Sequence, residues 1–367
     1  MKGITLLIKP VSGSCNMRCS YCFYTEEMEK RMIPNYGVMT EETLTCILKR
    51  IFEENYDHCT IAFQGGEPTL AGLSFYETFV QLVEKWNTNG CELQFAIQTN
   101  GYTLDETWAK FFKKHKFLVG ISLDGIEESH DAYRLDYNKN GTFHRVYEAI
   151  ECLKHHEVEY NVLTVIHRET VKNVNRIYNL YKRCGISYQQ YIEMVCPFDM
   201  GEEGVNYGVS PKEYGEFLIA LFKKWYKDVV KGDYVSIQYF EDIMDIFCGM
   251  PPVSCTSMGV CGNSLVIEAD GGVYPCDFYV LDEWKLGDMK TNSIEEIQKK
   301  QLRKQFIEQS KSVPKECQKC QWYPLCRNGC RRNCEGATDK VRGKNYYCEG
   351  YKMFFEYAYP YMVQLKR

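Results

Sequence analysis

The sequence carries three cysteines within eight residues, in the run Cys15-Asn16-Met17-Arg18-Cys19-Ser20-Tyr21-Cys22. Iron–sulfur clusters are usually held by four cysteine thiolates, so three ligands would leave one iron with an open position. An open position on a metal is where a ligand or substrate can coordinate. A zinc knuckle is the alternative interpretation, although it would normally have four ligands close together and no histidine lies nearby.

Length and composition limit the classes of protein to consider. The 367 residues are enough for one large domain and a smaller one, and the hydrophobic content of 45% supports a packed core. A net charge of −5 argues against a nucleic acid as the main partner. The run Met1–Pro10 is too short for a signal peptide, and no stretch approaches the length of a membrane span. We therefore expect a cytoplasmic protein that binds neither nucleic acid nor membrane.

Short apolar strands alternate with amphipathic helices over roughly the first 200 residues. The predicted strands are Thr5–Lys9, Thr60–Gln64, Leu93–Gln98, Leu118–Leu123, Asn161–His167 and Gln189–Val195. The predicted helices are Glu41–Glu53, Ser74–Trp86, Asp105–Lys114, Thr142–His155, Thr170–Arg183 and Pro211–Val230. Ser74, Asp105, Thr142 and Thr170 are each expected to cap a helix. Repeated βα units predict an α/β fold whose parallel sheet curls into a partial (β/α)6 barrel.

Polar and glycine residues follow the predicted strands, at the ends where barrel enzymes place their active sites. The cysteine run follows the first strand. The next three strands are followed by Gln64-Gly65-Gly66-Glu67-Pro68, Gln98-Thr99-Asn100-Gly101 and Ser122-Leu123-Asp124-Gly125. A random sequence would not be expected to place such residues at every strand end. The pattern therefore predicts function at the carboxyl edge of the sheet.

The spacing C-x3-C-x2-C of Cys15, Cys19 and Cys22 resembles that of the radical S-adenosylmethionine (SAM) enzymes. The resemblance implies a [4Fe–4S] cluster on these three thiolates, with the amino and carboxylate groups of SAM on the open iron. It further implies that an electron from the reduced cluster cleaves SAM to methionine and a 5′-deoxyadenosyl radical.

The same resemblance implies a set of SAM contacts. Gly65-Gly66-Glu67 matches the glycine motif that binds the methionine part of SAM, whereas a Gly-Gly pair alone would indicate an ordinary turn. Tyr21 resembles the aromatic residue beside the adenine. Ser122, Arg134 and Val195 stand where the family contacts the ribose, the carboxylate and the adenine. Without the resemblance, Tyr21 would be interpreted as a packed aromatic and Arg134 as a solvated charge.

A second group of cysteines begins at residue 255, in a chain with 19 cysteines in total. In a long chain with no predicted secretion signal, such groups more often bind metal than form disulfides. Eight thiols divide into two sets of four, and structural zinc sites are one interpretation of such quartets. The eight are Cys255, Cys261, Cys276, Cys317, Cys320, Cys326, Cys330 and Cys348.

The run Cys317-x2-Cys320-x5-Cys326-x3-Cys330 resembles the SPASM domain, a C-terminal extension of radical SAM enzymes that modify peptides and proteins. The resemblance implies two auxiliary [4Fe–4S] clusters, one on Cys255, Cys261, Cys276 and Cys330 and one on Cys317, Cys320, Cys326 and Cys348. Spacing alone does not fix this division, and Cys334 is an alternative to Cys330. A fully ligated cluster suits electron transfer better than substrate binding. We predict a radical SAM core over residues 1–230, a bridging segment over 231–254 and a SPASM domain over 255–367.

Asp277 follows a predicted cluster ligand in the aromatic stretch Val273-Tyr274-Pro275-Cys276-Asp277-Phe278-Tyr279-Val280. A carboxylate near apolar rings and a net-negative cluster should have a raised pKa, in the range useful for a base. A turn aspartate that caps a backbone N–H is the alternative.

This stretch, with Leu286-Gly287-Asp288 and Ala62–Gly72, resembles the anaerobic sulfatase-maturating enzymes, and the likeness covers essentially the whole chain. It implies anaerobic oxidation of the Cys or Ser of a Cys/Ser-x-Pro-x-Arg segment in an unfolded or nascent sulfatase to Cα-formylglycine. It implies Asp277 as the catalytic base and an auxiliary cluster as the acceptor of the second electron. Tyr24 and Gln64 are candidates for positioning the peptide, and flavodoxin or ferredoxin is the expected electron donor.

Three other functions account for part of the sequence. A related SPASM enzyme could form thioethers or epimerise residues in a ribosomally made peptide, using the same radical step. A non-catalytic electron carrier would need no SAM site, so the glycine motif speaks against it. A zinc-binding interaction module would contain zinc without iron.

Overall fold

The computed structural model of the chain describes residues 2–195, 197–198, 205–262, 264–334 and 342–366. Its strands are β1 (Gly3–Ile8), β2 (His58–Phe63), β3 (Glu92–Thr99), β4 (Phe117–Ser122), β5 (Tyr160–Ile166), β6 (Tyr188–Glu193), β7 (Ser236–Ile237), β8 (Leu265–Ile267), β9 (Gly272–Tyr274) and β10 (Gly287–Asp288). The first six overlap the six predicted strands, which are therefore confirmed within a few residues at each end.

The helices include all six that the sequence predicts. They are α1 (Phe23–Glu29), α2 (Glu41–Glu53), α3 (Leu73–Trp86), α4 (Glu106–Lys114), α5 (Glu127–His130), α6 (Phe143–His155), α7 (Arg168–Arg183), α8 (Pro211–Lys231), α9 (Gln238–Phe247), α10 (Cys255–Met258), α11 (Ile294–Lys299), α12 (Gln301–Ser310), α13 (Lys315–Gln318), α14 (Tyr323–Cys326) and α15 (Cys348–Leu365). Among the described residues, no helix is both long enough and apolar enough to cross a membrane.

The chain divides into two compact units, each assembled from separate segments. The first unit comprises Met1–Ser122, Arg134–Tyr160 and Asn263–Phe306. The second unit comprises Leu123–Tyr133, Asn161–Gly262 and Ile307–Arg367. The division into a core, a bridging segment and a SPASM domain at residues 230 and 254 stays a prediction.

The sheet of the first unit has the strand order β10-β9-β8-β1-β2-β3-β4. Strands β1 to β4 are parallel, and β8 pairs in parallel with β1, with Leu6 opposite Leu265. Strands β9 and β10 continue this side of the sheet in antiparallel pairs. The Phe63 ring packs edge-on against Tyr76 and Phe79, with centroids 5.0 and 4.9 Å away, so buried aromatic surface holds α3 to the sheet.

In the second unit, β5, β6 and β7 are parallel neighbours. The apolar face of α8 is buried, including Phe217 and Phe222. Helices α8 and α15 approach closely at Gly215 and Gly350, where a Cβ on Gly215 would lie 2.8 Å from the Gly350 Cα. The absence of side chains at this point permits the two helices to pack backbone to backbone.

One of the four predicted helix caps is confirmed and three are wrong. The Asp105 side chain accepts hydrogen bonds from two N–H groups in the first turn of α4. Ser74 lies inside α3, which begins one residue earlier. Thr142 precedes α6, but its hydroxyl donates to a backbone carbonyl at 2.9 Å instead of capping. Thr170 is the third residue of α7 and not its N-cap, which is His167, but its hydroxyl accepts a hydrogen bond from the His167 N–H in a capping box.

Candidate active site

The loop after β1 carries the predicted cluster cysteines, Cys15, Cys19 and Cys22, all partly buried. A backbone N–H of the loop donates to Cys15 Sγ at 3.4 Å, and the Asn100 amide donates to the same sulfur at 3.6 Å. An Arg134 guanidinium nitrogen lies 4.0 Å from Cys19 Sγ. Burial raises the pKa of the Cys15 thiol to about 12. A bound metal would deprotonate such a thiol, and these donors would then stabilise the thiolate charge.

The predicted glycine motif packs directly against this loop. The backbone N–H of Glu67 donates to the Ser14 carbonyl at 2.8 Å. Gly66 has a φ of +51°, and a Cβ there would lie 2.0 Å from the Ser14 carbonyl oxygen. Gly65 has a φ of +99°, and a Cβ there would lie 2.7 Å from the Lys9 side chain. Only glycine fits these two positions, which leaves the motif's backbone open to close approach by a ligand.

The Glu67 side chain holds the ends of β2 and β3 together inside the protein. Its carboxylate accepts hydrogen bonds from the Thr99 hydroxyl at 2.8 Å and the Asn100 N–H at 2.7 Å. It also accepts from the N–H and the hydroxyl of Thr69, at 3.0 and 2.6 Å. Burial raises the pKa of Glu67, and these hydrogen bonds oppose the rise. The carboxylate therefore fixes the conformation of the loop, and the backbone of the glycine motif is the part that can contact a ligand.

The other predicted SAM contacts lie in both units. In the first unit, the Arg134 guanidinium stands 5.4 Å from the centre of the Tyr21 ring, a cation–π distance. Ser122 ends β4, and its hydroxyl accepts a hydrogen bond from the Gln98 amide at 3.1 Å. In the second unit, Val195 lies two residues beyond the end of β6 and is partly buried. The first unit thus brings Arg134 to the cysteine loop, which contains Tyr21.

Asp277, Tyr24 and Gln64 form one hydrogen-bonded group in the first unit. The Tyr24 hydroxyl donates to Asp277 Oδ2 at 2.5 Å, and the Gln64 amide donates to that oxygen and to the Tyr24 hydroxyl, both at 2.9 Å. Asp277 Oδ1 is buried and has no hydrogen-bond partner among the described residues. Burial also raises the pKa of Asp277. A carboxylate with one oxygen held by hydrogen bonds and the other without a hydrogen-bond partner is suited to accept a substrate proton.

A buried lysine supports this group. Lys9 is 1% exposed, and its Nζ lies 3.6 Å from Glu268, 3.7 Å from Glu27 and 4.5 Å from the centre of the Tyr24 ring. Burial lowers the pKa of Lys9, but the neighbouring carboxylates outweigh burial and raise it overall, so the ammonium stays charged. Arg31 completes the network by pairing with Glu268 at 2.7 Å. The network therefore places a buried, paired ammonium against the Tyr24 ring.

Lys9→Met should lower the free energy of unfolding by about 3–5 kcal/mol, because Glu27 would stay buried without its nearest cation. Lys113→Met is the matched control, since Lys113 is half exposed and pairs with Glu157 at 3.5 Å. Loss of such a surface pair should cost less than about 1 kcal/mol. Urea denaturation of the anaerobically purified proteins measures both values. Equal losses in the two variants would contradict a stabilising role for the buried pairing.

Four cysteines line one cavity of about 480 Å³ in the second unit. They are Cys317, Cys320, Cys326 and Cys348, the set that the family resemblance assigns to one auxiliary cluster. Burial, followed by the nearby thiols of Cys348 and Cys317, raises the pKa of Cys326 to about 12. Four neighbouring thiols are the donor set that a [4Fe–4S] cluster takes, so the chemistry of the cavity fits one.

The other predicted quartet has three members, Cys255, Cys261 and Cys330, in the second unit and one, Cys276, in the first. Burial raises the pKa of Cys330, and the thiols of Cys255 and Cys261 raise it further, so these three are neighbours. Cys334 instead directs its S–H to two backbone carbonyls, at 3.0 and 3.1 Å. In the described parts of the chain, no three His, Cys, Asp or Glu side chains converge as the ligands of a single ion would.

Two residues of the site, Asn100 and Lys9, have no role assigned from the sequence, although Asn100 lies in one of the polar runs that follow the predicted strands. The Asn100 amide donates to Asn16 Oδ1 at 2.7 Å and so ties the end of β3 to the cysteine loop. Its position after a strand, beside Gly101, is the available signal. Lys9 follows an apolar strand directly, where a basic residue is ordinarily solvated, and only the fold shows that it is buried.

Comparison with known proteins defines the class. Residues 10–181 match the model of the Radical SAM superfamily, and residues 255–321 match that of SPASM, an iron–sulfur cluster-binding domain. The chain is therefore a radical SAM oxidoreductase with a SPASM domain. The predicted α/β fold class, a partial barrel with a C-terminal SPASM domain, is confirmed. So are the predicted cofactors, SAM and three [4Fe–4S] clusters.

The sequence is 46% identical over 356 residues to the cysteine-type anaerobic sulfatase-maturating enzyme of Clostridium novyi (strain NT), covering 97% of this chain and 95% of the relative. The chain thus belongs to the anaerobic sulfatase-maturating enzymes, as predicted. The serine-type enzyme of Bacteroides thetaiotaomicron is 31% identical over 383 residues, covering 100% and 92%. A solved structure, native anSMEcpe with bound AdoMet and Cp18Cys peptide, gives a TM-score of 0.94 at 41% identity, covering 99% and 98%. These relatives favour sulfatase maturation over the ribosomal-peptide alternative.

Proposed function

We propose that this enzyme oxidises the cysteine of a Cys-x-Pro-x-Arg segment in an unfolded or nascent sulfatase to Cα-formylglycine. The observation that carries the proposal is the group of Asp277, Tyr24 and Gln64, which offers a buried, unpartnered carboxylate oxygen. This group lies in the unit that also carries the cysteine loop. Preference for cysteine over serine is supported by the higher identity to the cysteine-type relative, 46% against 31%.

Each cofactor has a proposed set of residues to hold it. The cysteine loop would hold the cluster that binds SAM, through Cys15, Cys19 and Cys22. The SAM contacts would be Tyr21, Gly65, Gly66, Glu67, Ser122, Arg134 and Val195. When bound, SAM and this cluster supply the radical chemistry, the removal of one hydrogen atom from the substrate Cβ. The auxiliary sets, Cys255, Cys261, Cys276 and Cys330 and then Cys317, Cys320, Cys326 and Cys348, would hold clusters whose chemistry is electron acceptance.

Asp277 is the proposed general base. Its Oδ1 accepts the proton of the substrate thiol, while Tyr24 and Gln64 hold Oδ2 in place. The substrate loses a hydrogen atom from Cβ, a proton from sulfur and one electron, and so becomes a thioaldehyde. Water then converts the thioaldehyde to the aldehyde and hydrogen sulfide. Tyr24 and Gln64 would also position the peptide, since both hydrogen-bond at the point where the thiol must arrive.

The remaining assignments concern the setting of the reaction. We assign the supply of electrons to a donor such as flavodoxin or ferredoxin, and the reaction to the cytoplasm. Cysteines that hold clusters rather than forming disulfides are typical of a reducing compartment. The domain division into residues 1–230, 231–254 and 255–367 is part of the same proposal. The SPASM match that begins at residue 255 supports it.

Anaerobic incubation with SAM, a reductant and synthetic peptides tests this proposal. A peptide with Cys-x-Pro-x-Arg should give an aldehyde, and its Ser-x-Pro-x-Arg counterpart should give the aldehyde more slowly. A peptide of the same composition in scrambled order is the matched control and should give none. Mass spectrometry after aldehyde trapping measures the product. Cleavage of SAM without aldehyde from either ordered peptide would contradict the proposal and favour the ribosomal-peptide function.

A further inference from the structure

Glu193 ends β6 in the second unit, and the proposed reaction does not use it. Its Oε1 accepts a hydrogen bond from the Tyr214 hydroxyl at 2.9 Å, and its Oε2 accepts one from the Asn333 side-chain amide at 2.6 Å. Tyr214 is 2% exposed and Asn333 is 6% exposed, while Glu193 itself is partly exposed. Neither partner carries a positive charge. The carboxylate is therefore held firmly by donors that do not neutralise it.

The Asn333 bond connects Glu193 to one cysteine quartet. Asn333 ends the short helical turn that follows Cys330, and its backbone N–H donates to the Cys330 carbonyl at 3.2 Å. Asn333 thus joins the Glu193 carboxylate to the backbone of Cys330 through two hydrogen bonds. The negative charge of Glu193 therefore lies close to a proposed ligand of one auxiliary cluster.

The Tyr214 bond connects Glu193 to the other quartet. The Tyr214 ring lies 4.5 Å, centroid to centroid, from Tyr347, the residue directly before Cys348. The carboxylate is therefore connected, through Asn333 and Tyr214, to the segments that carry members of both quartets.

We infer that the negative charge of Glu193 sets the reduction potential of the auxiliary clusters. A fixed negative charge near an iron–sulfur cluster opposes the arrival of an electron, and so lowers the reduction potential. A cluster with a lower reduction potential gives up its electron more readily to the next acceptor after each turnover. The inference rests on the proposed function, because it takes the two quartets to be cluster ligands.

Glu193→Gln tests the inference, since glutamine keeps the shape and can still bond to Tyr214 and Asn333. Potentials are measured by redox titration followed by electron paramagnetic resonance, in a chain whose Cys15, Cys19 and Cys22 are replaced by alanine. Only the auxiliary clusters then contribute signals. Burial raises the pKa of Glu193 to about 7, so alkaline buffer keeps the carboxylate ionised. The expected result is a shift of at least one auxiliary potential to a more positive value.

Two further variants separate charge from structure. Glu193→Asp keeps the charge and should keep the potentials close to the parent values. Glu241→Gln makes the same chemical change in the second unit, at a carboxylate that accepts a hydrogen bond from Ser236 at 2.9 Å. The groups that shift the pKa of Glu241 include no thiol. This control should leave both potentials unchanged.

Four outcomes would overturn the inference. Unchanged potentials in Glu193→Gln would show that the charge is not felt at the clusters. Equal shifts in Glu193→Asp and Glu193→Gln would assign the effect to packing. Loss of auxiliary iron in both Glu193→Gln and Glu193→Ala would show that the carboxylate is needed to build the sites. If the parent itself holds iron for fewer than two auxiliary clusters, the proposed ligand sets fail and the role of Glu193 falls with them.

Discussion

Asp277→Asn should lower the rate of formylglycine formation by at least about 100-fold while SAM cleavage continues at close to the parent rate. The amide cannot accept the substrate proton, so the Cβ-centred radical has no direct route to the thioaldehyde. Its carbonyl oxygen can still accept the bonds from Tyr24 and Gln64, so the group keeps its shape. Cleavage of SAM depends on the cysteine loop and the glycine motif, which this substitution leaves intact.

The control for this substitution is Asp282→Asn, the same change five residues further along the chain. Asp282 accepts a hydrogen bond from the Met32 backbone N–H at 2.8 Å and lies outside the hydrogen-bonded group of Asp277. It should alter aldehyde yield by no more than about twofold. Chromatography of 5′-deoxyadenosine and mass spectrometry of the peptide measure the two products separately. An Asp277→Asn enzyme that makes aldehyde at the parent rate would refute the base assignment.

Gly66→Ala should abolish SAM binding and lower SAM cleavage by at least about 100-fold. The new Cβ would lie 2.0 Å from the Ser14 carbonyl oxygen, which is backbone and cannot rotate away. The glycine motif or the start of the cysteine loop must therefore shift. A displacement of about 1 Å is enough to separate groups that must be aligned for reaction. Equilibrium dialysis with SAM and a cleavage assay, both under anaerobic conditions, measure the effect.

Gly90→Ala is the matched control for this effect. Gly90 has a φ of +69°, so alanine meets a similar backbone strain, but no atom lies within 4 Å of the added Cβ. The strain should cost about 1–3 kcal/mol of stability and leave SAM binding unchanged. If Gly66→Ala bound SAM as well as Gly90→Ala does, close packing of the motif against the cysteine loop would have no role in SAM binding.

The sequence predicts much of this fold because its signals are local. Apolar runs mark β1 to β6, and the polar residues that follow them lie at strand ends, as with Gln64 after β2. The cap at Asp105 forms because an aspartate side chain there reaches the first turn of its helix. Strand β8 is not predicted from the sequence, because Leu265–Ile267 is too short to show an alternating hydrophobic pattern. It is stabilised by pairing with β1.

The sequence predicts which residues belong to the candidate site better than it predicts how those residues are arranged. The family resemblance points to Asp277 and Tyr24, but 253 residues separate them, so the hydrogen bond between them follows only from the fold. The burial of Lys9 cannot be predicted from the sequence for a related reason. Its charge is stable in the interior because Glu27 and Glu268 come from distant segments to pair with it. Spacing along the chain contains no signal for such a buried network.

In the proposed reaction, a radical formed at the cysteine loop takes hydrogen from Cβ of the substrate cysteine, and this carbon becomes the aldehyde. The most direct measurement uses two Cys-x-Pro-x-Arg peptides, one deuterated at Cβ and one deuterated at Cα of that cysteine. With the Cβ label, deuterium should appear in 5′-deoxyadenosine in amounts that match the aldehyde formed. The Cα label should stay in the peptide. Deuterium transferred from Cα, or transferred from Cβ without aldehyde, would contradict the account.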